Sequence, residues 1–202
     1  MTPIRLAILL VAVASTANAQ TESRLSLLGF NEEGTQVLVK VVDPNQGTIL
    51  QARDLETAKI KKGWLIENKN DETKRVKDLR KKTFKVPAVV DQVDPEGRFT
   101  VFGSPDKKRG NYDIMVMRDG RVGVLGSVPL KTEGKRAVAK AMLKEVVWAA
   151  DGKTVYCIVN QKLERETGPE DVDDLHVLRF KAWKVKWVQA PVEEPETEGA
   201  PE

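Results

Sequence analysis

The sequence predicts an all-β fold built from three antiparallel four-stranded sheets in series, with a short helix or two in the insertions. Three observations carry this. Short runs rich in Val, Ile, Leu and Thr alternate along the chain with turn clusters of Gly, Pro, Asn and Asp. Asp119-Gly120 lies between two apolar runs and is the strongest hairpin signal present, because both positions tolerate positive φ. Gly34, Gly97 and Gly152 recur in one register: Phe30, Val93 and Trp148 stand four residues before them, and a strand-like run follows each. A β-sandwich made from the same strands is the alternative architecture, since evenly spaced short strands suit it as well.

Residues 1–19 read as a cleavable secretory signal. Arg5 precedes the apolar run 6–14, and Ala17-Asn18-Ala19 is a small-x-small site ahead of Gln20. The run is too short to span a bilayer, which takes about 20 residues. Gln20 in place of Cys argues against a lipid-modified start, so a periplasmic or secreted protein without a transmembrane anchor is expected. Residues 20–190 then form one domain, with units at about 24–66, 88–126 and 143–188, and residues 191–202 form a disordered acidic tail.

In chain order, 24–30 and 36–42 make a hairpin across Asn31-Glu32-Glu33-Gly34, and 48–52 and 59–66 make a second. The charged interval 70–84 suits a solvated insertion or a short helix capped by Asp71, with Val76 and Leu79 resting on the sheet. Strands follow at 88–93, 98–102, 112–117 and 121–125. A short helix is expected within 129–144, where Ala137, Ala139, Ala141, Met142 and Leu143 stand among basic residues. Strands at 143–148 and 154–159, a polar loop over 160–173, and a hairpin of 175–180 with 183–188 complete the domain.

Asp94-Pro95-Glu96-Gly97-Arg98, the strand to Phe102 and Ser104, and Gly110-Asn111-Tyr112-Asp113-Ile114-Met115-Val116-Met117 with Asp119-Gly120 resemble the blade repeat of TolB-type, WD-like β-propellers. Trp148-Ala149-Ala150-Asp151-Gly152-Lys153-Thr154-Val155-Tyr156 resembles its first half, and Asp174-Leu175-His176-Val177-Leu178 its second. The first unit departs from the pattern, with Asn31-Glu32-Glu33 where Ser-Pro-Asp is usual. The resemblance implies three blade-like sheets, fewer than the roughly four to eight of a closed ring. It therefore implies an open, partial propeller or a ring completed by a second chain as a homo-dimer.

Chemistry is sparse in this sequence. Cys157 is the only cysteine and lies in a strand-like run, which points to a buried, inert thiol. His176 is the only histidine and reads as structural, with no nucleophile elbow around any serine. Asp171, Asp173 and Asp174, with Glu170 and His176, form an oxygen-rich cluster that lacks the glycine-punctuated spacing of a calcium loop, so these are weak metal candidates and no metal or cofactor is expected. Trp148, Trp183 and Trp187 are read as core residues in strands.

Net charge is +3, but residues 59–85 hold eleven Lys and Arg against Glu67, Asp71, Glu72 and Asp78, while the tail from Val192 carries five Glu and no base. Nucleic acid is not an expected partner for an exported protein, and the basic segment offers only Trp64 and Phe84 for stacking. The resemblance implies a non-enzymatic interaction or scaffolding role toward another envelope or extracellular protein, through loops at one end. Lys107, Lys108, Arg109 and Asn111, with Lys74 and Arg75 in the basic insertion, are the candidate partner-binding residues. Two alternatives are a hydrolase or sugar-active enzyme using Asp113 and Asp174, and a small-ligand or cation module using the acidic loop.

Overall fold

A computed structural model describes residues 21–106, 108–133, 136–137, 140–163 and 170–190. The expected leader, the acidic tail and Lys107 lie outside the described residues. Among the described residues the fold is all-β apart from one α-helix and a 3-10 turn.

The first unit is an antiparallel meander of β1 (Thr21–Phe30), β2 (Gln36–Asp43), β3 (Gly47–Asp54) and β4 (Ile60–Ile66). Val37, Leu38 and Val39 are all fully buried, so β2 is covered on both faces. Its outer cover is α1 (Lys69–Lys82), whose Val76 and Leu79 pack on Leu38, Leu50, Ala52, Ile66 and Phe84. The cap is Asn68 rather than the expected Asp71: Asn68 Oδ1 accepts from the Asn70 and Asp71 amides, both at 3.0 Å. Asp71 and Glu72 in the first turn and Arg80, Lys81 and Lys82 in the last complement the helix dipole.

β5 (Val86–Pro87) adds to the free edge of β1, pairing Gly29 with Pro87. A Cβ at Gly29 would stand 2.8 Å from the Val86 carbonyl oxygen, so only glycine admits this approach. The strand expected over 88–93 does not form. Ala88 bonds to Leu28, Asp91 to Val146 and Val101 to Gln92, so this segment divides its hydrogen bonds among three neighbours and joins no ladder beyond the single bridge Val93↔Thr100.

β6 (Thr100–Asp106), β7 (Asn111–Arg118) and β8 (Arg121–Pro129) form the second antiparallel meander, and Asp119 and Gly120 take the positive φ values of 49° and 68° that their hairpin needs. No helix follows. The two-residue strands β9 (Thr132–Glu133) and β10 (Arg136–Ala137) pair with each other, and β11 (Lys140–Trp148) begins where helix was expected. The reason is periodicity: Ala141 and Leu143 repeat at two and both pack against the core.

β12 (Thr154–Leu163) and β13 (Glu170–Arg179) complete the third unit. They take in most of the stretch expected to be a polar loop, because Asn160, Gln161, Asp171 and Asp173 are buried with hydrogen-bond partners. The expected hairpin of 183–188 with 175–180 is also absent. A 3-10 turn at Ala182–Lys184 carries the chain across to β14 (Val188–Gln189), which pairs with Val122 and Arg121 of β8. Trp183 is 80% exposed, contrary to the core role expected of it, whereas Trp148 is buried and Trp187 packs on Phe99 at 6.2 Å.

Three separate four-stranded sheets are therefore not what forms. The third unit has three strands, the second takes its fourth from the C-terminal segment, and the first and third join edge to edge in the order β11-β12-β13-β1-β2-β3-β4. The join is a short parallel ladder, Thr21↔Glu170 to Ser23↔Val172. The third unit is the middle layer. Val155, Cys157 and Val159 of β12 meet Val101, Ile114 and Val116 of the second unit, while Tyr156 and Ile158 on its other face meet Val37, Val39 and Val41 of the first.

Candidate binding cavity

The three glycine turns that revealed the repeat adopt one geometry. Gly34, Gly97 and Gly152 have φ of 63°, 72° and 59°, a region costly for any residue with a Cβ. Each donates its amide to the residue three before it: Asn31, Asp94 and Ala149, at 3.1, 2.9 and 2.9 Å. Those residues in turn donate their amides to the carbonyls of Gln36, Phe99 and Thr154. In two turns a side chain completes the loop. Asn31 Oδ1 accepts from Thr35 and Gln36, and Asp94 Oδ1 accepts from Arg98 and Phe99. Ala149 cannot do this, and Asp151 Oδ1 takes the Lys153 amide instead at 2.8 Å.

Because the units stack face to face, these equivalent turns converge, and the space between them is a cavity of about 1040 Å³. Asn31 to Gly34, Asp94 with Pro95 and Gly97, and Ala149 to Asp151 all line it. Phe30, Trp148 and Tyr156 supply aromatic wall, and the irregular segment contributes Val89, Asp91 and Val93. Phe30 and Tyr156 lie 4.7 Å apart, ring to ring.

The cavity is strongly acidic. Glu32, Glu33, Asp91, Asp94 and Asp151 line it, and among the described residues Arg179 is the one basic residue that does. The Arg179 guanidinium is directed to Thr154 Oγ1 at 2.8 Å and Glu56 at 3.9 Å. Burial pushes the Tyr156 phenol pKa up; Arg179 opposes the shift and Asp151 adds to it.

The residues singled out from sequence lie elsewhere. β6 runs away from the cavity, so Lys108, Arg109 and Asn111 sit at its far end, roughly 20 Å off by strand rise. There Asp106 Oδ1 accepts the Lys108 and Arg109 amides at 3.1 Å. Lys74 and Arg75 are exposed on α1, with Arg75 3.9 Å from Asp71. Asp113 lies on β7, bonded to Ser127 Oγ at 2.5 Å, in a different sheet from Asp174 on β13.

Asp171 and Asp173 face inward beside β1, and Asp174 has the opposite strand parity. Asp171 takes both Arg24 guanidinium nitrogens at 2.8 Å, Asn160 Nδ2 bridges Asp171 and Asp173 at 2.8 Å to each, and Lys144 reaches Asp173 at 2.6 Å. Burial alone would raise the Asp171 pKa, but the bonds from Arg24, Asn160 and Lys162 outweigh it and hold it at about 2. The network does structural work. After Ser23 the β1–β13 ladder stops, and the Leu25 and Leu27 amides donate to Asp173 at 2.8 Å and Glu145 at 3.1 Å. Cations and amides thus occupy these carboxylates, and among the described residues no group of three or more His, Cys, Asp or Glu is placed to hold a metal ion.

His176 stands across from Cys157, with Nε2 buried and accepting or donating no hydrogen bond among the described residues. Burial lowers its pKa, against the pull of Asp174, and burial pushes the Cys157 thiol up to about 12. Both are therefore held in their neutral forms.

The cavity is not legible in the sequence because each turn residue has a sufficient local role. The available signal was the shared register of the three glycines, since equivalent turns of stacked repeats must fall at one end. No protein-family model, no curated protein and no solved structure matches the chain.

Proposed function

We propose that this protein is an exported, non-enzymatic interaction module of the bacterial envelope, which holds another envelope or extracellular protein at the end where its three repeat turns meet. The observation that carries this reading is the convergence of those turns on one open, aromatic-walled cavity. Loops held by a rigid scaffold are where binding residues concentrate, and a concave, partly apolar site is the usual form of a ligand pocket. The TolB-like blade motifs and the secretory leader in the sequence supply the setting. Closure of a ring by a second chain is not part of the reading, because α1 occupies the outer face of the first unit, which a following sheet would need.

The test is capture of partners from an envelope extract by the full mature chain, native against Ala150→Trp. Ala150 is exposed and lines the cavity, so the indole obstructs the site without entering the core. Loss of a cross-linked partner at an unchanged melting temperature is expected. Identical capture by the two proteins removes the cavity from the reading. Charge reversal at Lys108 and Arg109 in a parallel variant, with the partner then lost, would move the site to the opposite end.

A further inference from the structure

The lining of the cavity selects among ligands, given the reading of the protein as a binding module. Glu33 Oε2 accepts from Asn31 Nδ2 at 2.8 Å, Asp91 Oδ1 from the Val93 amide at 2.9 Å, and Asp151 Oδ1 from the Lys153 amide at 2.8 Å. These donors are neutral. They orient the carboxylates without cancelling their charge, and no basic side chain among the described residues lies within ion-pair distance of the three.

The other two acids differ. Glu32 is paired with Lys85 at 3.0 Å on the exposed rim. Asp94, whose side chain is 1% exposed, has an Oδ2 that accepts no hydrogen bond, and the nearest cation, Arg98 Nε, stands 3.6 Å from it. A buried carboxylate oxygen left without a hydrogen-bond donor is costly, and the Arg98 guanidinium offsets part of that charge, so Asp94 contributes less to the cavity than the other acids.

Charge alone does not describe the site. Val89 is 65% and Val93 38% exposed, and they line the same space as Phe30, Trp148 and Tyr156. A bare metal ion would leave those walls wet. A lysine or arginine side chain has an apolar stem and a cationic head that aromatic faces attract. One such side chain fills a small part of about 1040 Å³, which leaves room for the residues flanking it.

We infer that the cavity binds a cationic, partly apolar peptide segment of the partner, its lysine or arginine heads against Glu33, Asp91 and Asp151 and its apolar residues on Val89 and Val93. The segment belongs to a protein rather than to a free polyamine, because the apolar wall rewards side chains that a polyamine lacks.

Fluorescence anisotropy at low ionic strength tests this with a labelled peptide of alternating leucine and lysine, its glutamate counterpart, and spermidine as competitor. The lysine peptide is expected to bind, to weaken with added salt, and to lose about tenfold in affinity for Glu33→Gln/Asp151→Asn. That double variant keeps every acceptor the two turns use. Val89→Ser, at an exposed position, removes part of the apolar wall and is expected to weaken the lysine peptide several-fold. Equal binding of the glutamate peptide, unchanged affinity in the double variant, or no binding of the lysine peptide overturns the inference. Spermidine competing as well as the unlabelled peptide reassigns the site to a polyamine. Partner capture separates the two levels: a partner lost with Ala150→Trp but kept by Glu33→Gln/Asp151→Asn leaves the interaction module standing and sinks the cationic segment.

Discussion

Asp171 shows how one residue type in one sequence cluster takes a role opposite to the expected one. From sequence it belongs to an oxygen-rich loop; in the fold it is a strand residue clasped by Arg24, Asn160 and Lys162. Its pKa of about 2 lies below the ordinary 3.8, so the unfolded chain takes up the proton first as pH falls. The stabilisation is complete above about pH 4 and is lost as pH drops through about 2. Asp171→Asn is expected to cost about 2 kcal/mol at neutral pH, the range for hydrogen bonds to charged groups. It is also expected to flatten the acid limb of the stability curve. Urea unfolding from pH 7 to 2 reads both, and a native-like acid limb in the variant would refute the assignment. Cys157 is legible in the sequence as a buried thiol because an apolar strand surrounds it; the role of Asp171 is not, because its partners lie on other strands.

At the scale of elements, α1 separates local from tertiary information. The sequence carries an N-cap signal, a charged face and the pair Val76 and Leu79, which together allow a helix. What makes it persist is the apolar face of β2 and β3 beneath it, since a helix this short is marginal alone. Asn68→Ala is expected to cost about 1 kcal/mol, and Asp71→Ala less, because Asn68 bonds two free amides while Asp71 acts through the dipole and Arg75. Thermal melts of the two variants decide between the caps, and equal losses would count against Asn68. The segment 88–93 is the reverse case. Its valines have strand propensity, yet neighbours on three sides each take part of its backbone, which propensity cannot foresee.

For the whole molecule, the path of the C-terminal segment is the informative feature. If 183–188 paired within the third unit, Trp183 and Trp187 would both be core residues. Instead Trp187 reaches Phe99, with its Nε1 on the Ala182 carbonyl at 2.9 Å, and Trp183 faces solvent. Trp187→Ala is therefore expected to lose about 2 kcal/mol. Trp183→Ala is expected to stay within about 0.5 kcal/mol. Urea denaturation of the pair measures the contrast, and comparable losses would return the segment to the third unit. The sequence alone determined what short-range chemistry controls: the all-β class, most strands to within a few residues, the Asp119-Gly120 hairpin and the three equivalent glycine turns. Only the tertiary structure decided which sheet edges join, that the third unit lies between the other two, and that three separate turns close on one acidic cavity. Those outcomes depend on contacts between residues distant in sequence, where many pairings satisfy the same local pattern and packing selects one.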